Sequence, residues 1–156
     1  MLTVTGVNIK NMIHLKSFFL AAFLLVAAQS FSQNWLTDFD QAKKEAAQTN
    51  DKIILVFQGS DWCAPCMKLE REIWSSPEFQ KLSKDKFVFL KADFPRRKKN
   101  QLPKAQQEHN AQLFETYNPD GYFPLVVVLD KNGTVLGKMG YEKIAPAQYF
   151  KKLSSF

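Results

Sequence analysis

The 156-residue sequence holds two cysteines and two histidines, and it has no uninterrupted apolar run of the ~20 residues needed to span a bilayer. Each scarcity excludes something. Two cysteines are too few for a disulfide-scaffold miniprotein. His14 and His109, added to Cys63 and Cys66, leave too few candidates for a four-ligand zinc site. Neither histidine sits in a recognisable Ser-His-Asp context, which argues against a hydrolytic triad. What is present is 46% apolar residues, 13% aromatics and 23% charged residues. That composition excludes disorder and collagen-like repeats and fits one folded domain.

The N-terminal segment reads as a processing signal. Lys10, His14 and Lys16 precede an uncharged apolar run from Phe18 to Ala28, and small and polar residues follow up to Gln33. This is the layout of a secretory signal peptide, expected over residues 1–32, with cleavage after Ser30 or Ser32. A permanent membrane anchor is the weaker alternative, because the run is too short. No cysteine lies near the cleavage point, so lipidation there is excluded. Met12 is the expected start, since the residues before it resemble neither signal nor domain. The mature domain, 33–156, is expected in the periplasm or secreted.

Charge adds little. Cleavage removes Lys10 and Lys16 from 21 basic residues and none of the 15 acidic ones, so +6 becomes +4. The Arg96-Arg97-Lys98-Lys99 block reads as a solvated loop that repels itself outward. No aromatic residues interleave with it, and an exported protein seldom meets nucleic acid, so no nucleic-acid partner is expected.

The mature chain alternates two periodicities. Trp35, Phe39, Ala42 and Ala46 give a helix over Asn34 to Thr49, ended by Asn50 and Asp51. Ile53 to Phe57 is apolar at every position, as in a strand covered on both faces. Gly59-Ser60-Asp61 turns into a helix from Cys63 to Trp74 that stops at Ser75-Ser76-Pro77. A short helix from Pro77 to Ser83 follows, with Phe79 and Leu82 facing inward. Phe87 to Leu90 is a second strand, and Ala92 to Asn100 a basic loop. Pro103 to Tyr117 forms a helix with Ala105, Leu113, Phe114 and Tyr117 on its apolar face. After the turn Asn118-Pro119-Asp120-Gly121, Leu125 to Leu129 is a third strand. Lys131-Asn132-Gly133 supplies a hairpin to Thr134–Met139, and Pro146 to Leu153 is the last helix. The order predicts an α/β fold, one mixed sheet with helices on both faces.

One constellation carries chemistry. Trp62-Cys63-Ala64-Pro65-Cys66 lies where a buried strand turns into a helix, and thiols three residues apart can close a disulfide within one turn. Unpaired N–H groups at the helix start stabilise a thiolate, which makes Cys63 the attacking sulfur. Cys66, a turn further in, is expected to be more buried and to resolve the mixed disulfide. Pro65 suits a first helical turn.

From Ile53 to Leu69 the chain resembles the active-site segment of the thioredoxin superfamily. Gly121-Tyr122-Phe123-Pro124-Leu125, ahead of an apolar strand, is similar to the segment that carries the family's cis-proline. The resemblance covers the whole mature region and implies a thioredoxin-like fold. It also implies that Pro124 is cis and lies against the cysteine pair, and that the backbone of Phe123 pairs with an extended substrate. Gly59-Ser60-Asp61-Trp62-Cys63, with Leu69, Glu70, Trp74 and Pro77, is similar to exported thioredoxin-like proteins and to DsbD-type C-terminal domains. Family members often keep a buried Asp six residues before the first cysteine; here Phe57 stands there. Glu70, one helical turn after Cys66, is in reach to take the proton instead, as the DsbD-type resemblance implies. The alternative is a surface Glu70 paired with Lys or Arg.

The reading that results is an exported thiol:disulfide oxidoreductase, reducing or isomerising disulfides of envelope proteins. It needs no cofactor beyond the Cys63–Cys66 disulfide, takes electrons from a membrane donor and is expected to be a monomer. The segment from Arg96 to Asn100, with much of the following helix, is placed to shape partner choice. Two alternatives stay open: a binding module with a merely structural disulfide, and a Cu(I) metallochaperone using the same two thiolates. His109 reads as a surface residue.

Overall fold

A computed structural model describes residues 33–156. The expected signal segment, its cleavage point and Met12 lie outside the described residues.

Along the chain come β1 (Trp35–Leu36), α1 (Phe39–Thr49), β2 (Lys52–Gln58) and α2 (Ala64–Leu69). Next are a π-helical turn (Glu70–Trp74), α3 (Pro77–Ser83), β3 (Phe87–Asp93) and a 3-10 turn (Lys98–Asn100). The chain ends with α4 (Lys104–Tyr117), β4 (Leu125–Leu129), β5 (Val135–Met139) and α5 (Pro146–Ser155). The five strands form one mixed sheet in the order β1-β3-β2-β4-β5. β3 runs parallel to β1 and β2, whereas β4 runs antiparallel to β2 and β5.

The unbroken apolar run of β2 is explained by two core layers. Ile53, Leu55 and Phe57 point to one face, where Ala42, Ala46, Leu113 and Tyr117 of α1 and α4 cover them. Ile54 and Val56 point to the other, against Leu69, Ile73, Trp74, Phe79, Tyr149 and Leu153. Each such side chain contributes roughly 1.5–3 kcal/mol on burial. A strand with both faces covered cannot alternate with polar residues.

Several expectations need correction. Trp35 and Leu36 are not the start of a helix but a short edge strand paired with Phe89 and Leu90. The helix begins after Asp38, whose carboxylate accepts the Gln41 N–H at 2.7 Å as N-cap. Trp35 matches the helical spacing by coincidence. β3 extends to Asp93, so Ala92 is strand rather than loop. Leu82 is exposed, and Ser83 takes the inner position. Ala105 is exposed as well, and the buried face of α4 is Asn110, Leu113 and Tyr117. The helix expected from Cys63 to Trp74 widens into a π turn after Leu69, which lets the consecutive residues Ile73 and Trp74 both enter the core.

Candidate active site

The cysteine pair caps α2. Cys63 is the N-cap, and the Cys66 N–H donates to Cys63 Sγ at 3.2 Å. The two sulfurs are joined in a disulfide with the Cα atoms 5.2 Å apart, within the usual range. Pro65 sits in the first turn, where its missing N–H costs nothing. The expected difference in burial is not found: each cysteine is 4% exposed. What separates them is position on the helix, because only Cys63 receives an N–H from the open helix start.

Trp62 is held from three sides. Its indole N–H donates to the Phe94 carbonyl at 2.7 Å, its ring meets Phe123 at 5.2 Å, and the Arg96 guanidinium lies 3.7 Å from the ring centroid. The ring also covers Gly59 so closely that a Cβ there would come within 2.2 Å of it. Only glycine fits beneath Trp62.

The Phe123–Pro124 peptide is cis, as the resemblance implied. Asn118, almost fully buried, holds the residue before it: its amide donates to the Tyr122 carbonyl at 2.9 Å and accepts the Tyr122 N–H at 3.0 Å. No backbone hydrogen bond engages Phe123 among the described residues.

Cys66 opens on a different environment. A cavity of about 330 Å³ is lined by Gln58, Ser60, Cys66, Met67, Glu70, Arg71 and Ser75. Glu70 therefore shares a cavity with Cys66, and it also has the cation partner of its plainer reading. One carboxylate oxygen lies 3.6 Å from Lys91 Nζ, and the other accepts the Ser75 hydroxyl at 3.2 Å. Phe57, fully buried at the position where the resemblance implied an acid, lies on the opposite face with Phe94 and Phe114 at 6.4 and 6.2 Å. It offers no route for a proton.

The basic block is not simply a self-repelling loop. Its side chains are exposed, but its backbone is tied to the active-site turn. The Asp61 carboxylate accepts the N–H groups of Arg96 and Arg97 and the Asn100 amide, each at 2.9 Å. These donors, Arg96 N–H foremost, hold the Asp61 carboxyl below its ordinary value of 3.8. Asp93 completes the latch by accepting the Ser60 N–H at 2.9 Å and its hydroxyl at 2.6 Å. His109 is half-buried rather than a plain surface residue, its Nε2 accepting the Phe39 N–H at 3.2 Å and joining α4 to α1. Sequence reasoning missed Asp61, Asn118 and Asn110 as site-building residues. An acid one residue before Trp62, facing four cations downstream, was the available signal for Asp61.

The thioredoxin-like family model matches residues 34–131. The chain belongs to the thioredoxin-like family. It is 34% identical over 117 residues to the disulfide bond reductase DsbH of Chlamydia pneumoniae, covering 75% of this chain and 69% of that protein. It is 35% identical over 60 residues to the thioredoxin-related protein DsbJ of the same organism, covering 38% of this chain and 17% of DsbJ. Among solved structures, the DsbH oxidoreductase superposes with a TM-score of 0.71 at 30% identity over 82% of this chain and 88% of that one. The oxidised DsbD C-terminal domain of Neisseria meningitidis shares the fold at a TM-score of 0.55 and 16% identity, over 78% and 98% of the two chains. With its Cys-x-x-Cys pair in the family's active-site position, the chain is a thiol:disulfide oxidoreductase of the thioredoxin-like type.

Proposed function

We propose that the protein is exported after removal of residues 1–32 and works in the bacterial envelope, where its Cys63–Cys66 pair reduces or isomerises disulfides of protein partners. The observation that carries this reading is the Cys66 N–H aimed at Cys63 Sγ at the start of α2. In the reduced protein the same N–H favours a Cys63 thiolate. That thiolate attacks one sulfur of a partner disulfide, forming a mixed disulfide and releasing the partner's other sulfur as a thiolate that takes up a proton. Cys66 then loses its proton and attacks Cys63 Sγ, which expels the partner's second thiol. The partner gains two electrons, and the protein is left as the disulfide seen here.

Glu70 is the group offered to accept the Cys66 proton, through the cavity that both line. Phe123, with its unengaged backbone beside cis-Pro124, is the segment offered to an extended substrate. The reducing direction is supported by the uncharged pair Ala64-Pro65 between the cysteines and by the position of His109, which is bonded to Phe39 rather than to either sulfur. A weakly stabilised thiolate makes the disulfide harder to reduce, which moves the potential toward thioredoxin's ~-270 mV and away from the ~-120 mV of a strong oxidant. An oxidising envelope would then require a dithiol donor at the membrane to return the pair to the reduced state. None of the helices among the described residues is long and apolar enough to cross a membrane.

Equilibration of the pair against glutathione buffers tests the direction. A potential below about -200 mV is expected, and one above about -150 mV reverses the proposed flow. Insulin reduction by the dithiol form tests the activity itself, and the N-terminus of protein recovered from the envelope, expected at Phe31 or Gln33, tests export.

A further inference from the structure

Beside Trp62 lies a groove of about 510 Å³ between the segment 94–102 and α4. Its floor is aromatic. Phe94, Phe114 and Phe123 are half-buried, with ring centroids 5.5 to 6.0 Å apart, and Trp62 joins them through Phe123. Its rim carries Arg96, which lies over Trp62, and the exposed Arg97, Lys98 and Lys99 follow in the chain just beyond the lining. None of these four side chains forms an ion pair among the described residues, although five such pairs occur elsewhere.

The rim is held in place. Asp61 takes its three hydrogen bonds from this segment, the Gln101 amide donates to the Pro95 carbonyl at 2.8 Å, and the Gln107 amide to the Leu102 carbonyl at 2.7 Å. Asn110 fixes the strand end by donating to the Asp93 carbonyl at 2.9 Å. Four like charges on one tethered segment outnumber the single carboxylate, Asp61, bonded to its backbone, and they attract a further anion over a distance set by ionic strength.

We infer that this groove is a specificity subsite for the partner chain beside its reactive cysteine, and that it takes an apolar or aromatic side chain flanked by acidic residues. The inference rests on the disulfide-exchange reading and deepens it. The groove shares Trp62 and Phe123 with the cysteine site, so a segment extending from a cysteine bound at Cys63 can reach it. The aromatic floor removes apolar surface from water, and the cations select the neighbouring charge. Two carboxylates also line the groove: Asp93, which is bonded to Ser60, and Glu115, exposed on α4.

The test uses the full mature protein, reduced, with three peptide disulfides of equal length. Beside the cysteine they carry Phe-Glu-Glu, Phe-Lys-Lys or Ser-Glu-Glu, and hydroxyethyl disulfide serves as an uncharged small substrate. At about 0.01 M salt kcat/KM is expected to be roughly tenfold higher for Phe-Glu-Glu than for Phe-Lys-Lys, and the ratio should fall below about twofold at ~1 M, where screening acts within ~3 Å. Phe-Glu-Glu should exceed Ser-Glu-Glu by roughly fivefold at both salt concentrations. The triple variant Arg96→Gln, Arg97→Gln, Lys98→Gln should bring the acidic-to-basic ratio close to one. Equal rates for the acidic and basic peptides at low salt, or an unchanged ratio in the variant, overturn the inference while leaving disulfide exchange intact. No reduction of any peptide or of hydroxyethyl disulfide overturns the exchange reading itself.

Discussion

The two sides of the cysteine pair are built from different materials. On the Cys63 side lie Trp62, Phe94, Phe114 and Phe123, with a cationic rim tied down by Asp61. On the Cys66 side lies a smaller cavity in which Gln58, Ser60, Glu70, Arg71 and Ser75 join Met67. The aromatic groove offers a partner contact area, and its carboxylates, Asp93 and Glu115, line a space that includes neither cysteine. The smaller cavity puts the Glu70 carboxylate in the lining that it shares with Cys66. The proposed division puts recognition on the Trp62 side and proton handling on the Cys66 side, with Phe57 packed against Phe94 and Phe114 on the first.

Replacing Cys63, where the two sides meet, has the largest expected effect. Cys63→Ser is expected to lower the rate of insulin disulfide reduction by at least about 10⁴-fold, because the remaining Cys66 receives no N–H from the open helix start to favour its thiolate; steady-state assays with a thiol reductant read this directly.

Phe57→Asp breaks the comparison from the aromatic side. A carboxylate placed between Phe94 and Phe114 would be buried among aromatic rings, and an uncompensated buried charge costs about 3–5 kcal/mol at pH 7. Burial raises the folded-state pKa above the unfolded ~3.9, so the loss is full above the raised value. It shrinks as pH falls through that value toward ~3.9. Urea unfolding at pH 7 and pH 4 measures both.

Glu70→Gln sharpens the polar side. If Glu70 accepts the Cys66 proton, resolution of the mixed disulfide slows by about 10²-fold at neutral pH and recovers as pH rises toward the thiol's own titration. A change confined to stability, within the ~1 kcal/mol of an exposed pair, would mean that Glu70 serves only Lys91.

Asp61→Asn has the smallest expected effect. It leaves the disulfide chemistry in place but weakens the latch, so amide exchange across 94–102 speeds up by about tenfold. In the unaltered protein the lowered Asp61 pKa has a defined sign. The latch is fully formed above 3.8 and is lost as pH falls through the lower folded-state value, which exchange at acidic pH will show.

Much of this was legible in the sequence. The apolar run Ile53 to Phe57, the Trp62-to-Cys66 motif and Gly121 to Pro124 each announced its element and its place at the site, because burial on two faces and a helix-start thiol leave local marks. β1 was not legible: two residues carry no period, and Trp35 pairs with a strand some fifty positions away. Leu82 and Ala105 were misassigned because each fits an apolar spacing that tertiary packing overrides. Asp61 and Asn118 were read as turn residues, since their partners, Arg96 and Arg97 in one case and Tyr122 in the other, are defined only once the chain has folded.

Mixed-disulfide trapping tests the division of labour between the cysteines most directly. Cys66→Ser and Cys63→Ser variants are expressed in a bacterial envelope, purified with thiols blocked and resolved on non-reducing gels. The account predicts reductant-sensitive adducts with envelope proteins for Cys66→Ser and none for Cys63→Ser. Adducts formed equally by both variants, or only by Cys63→Ser, would contradict it.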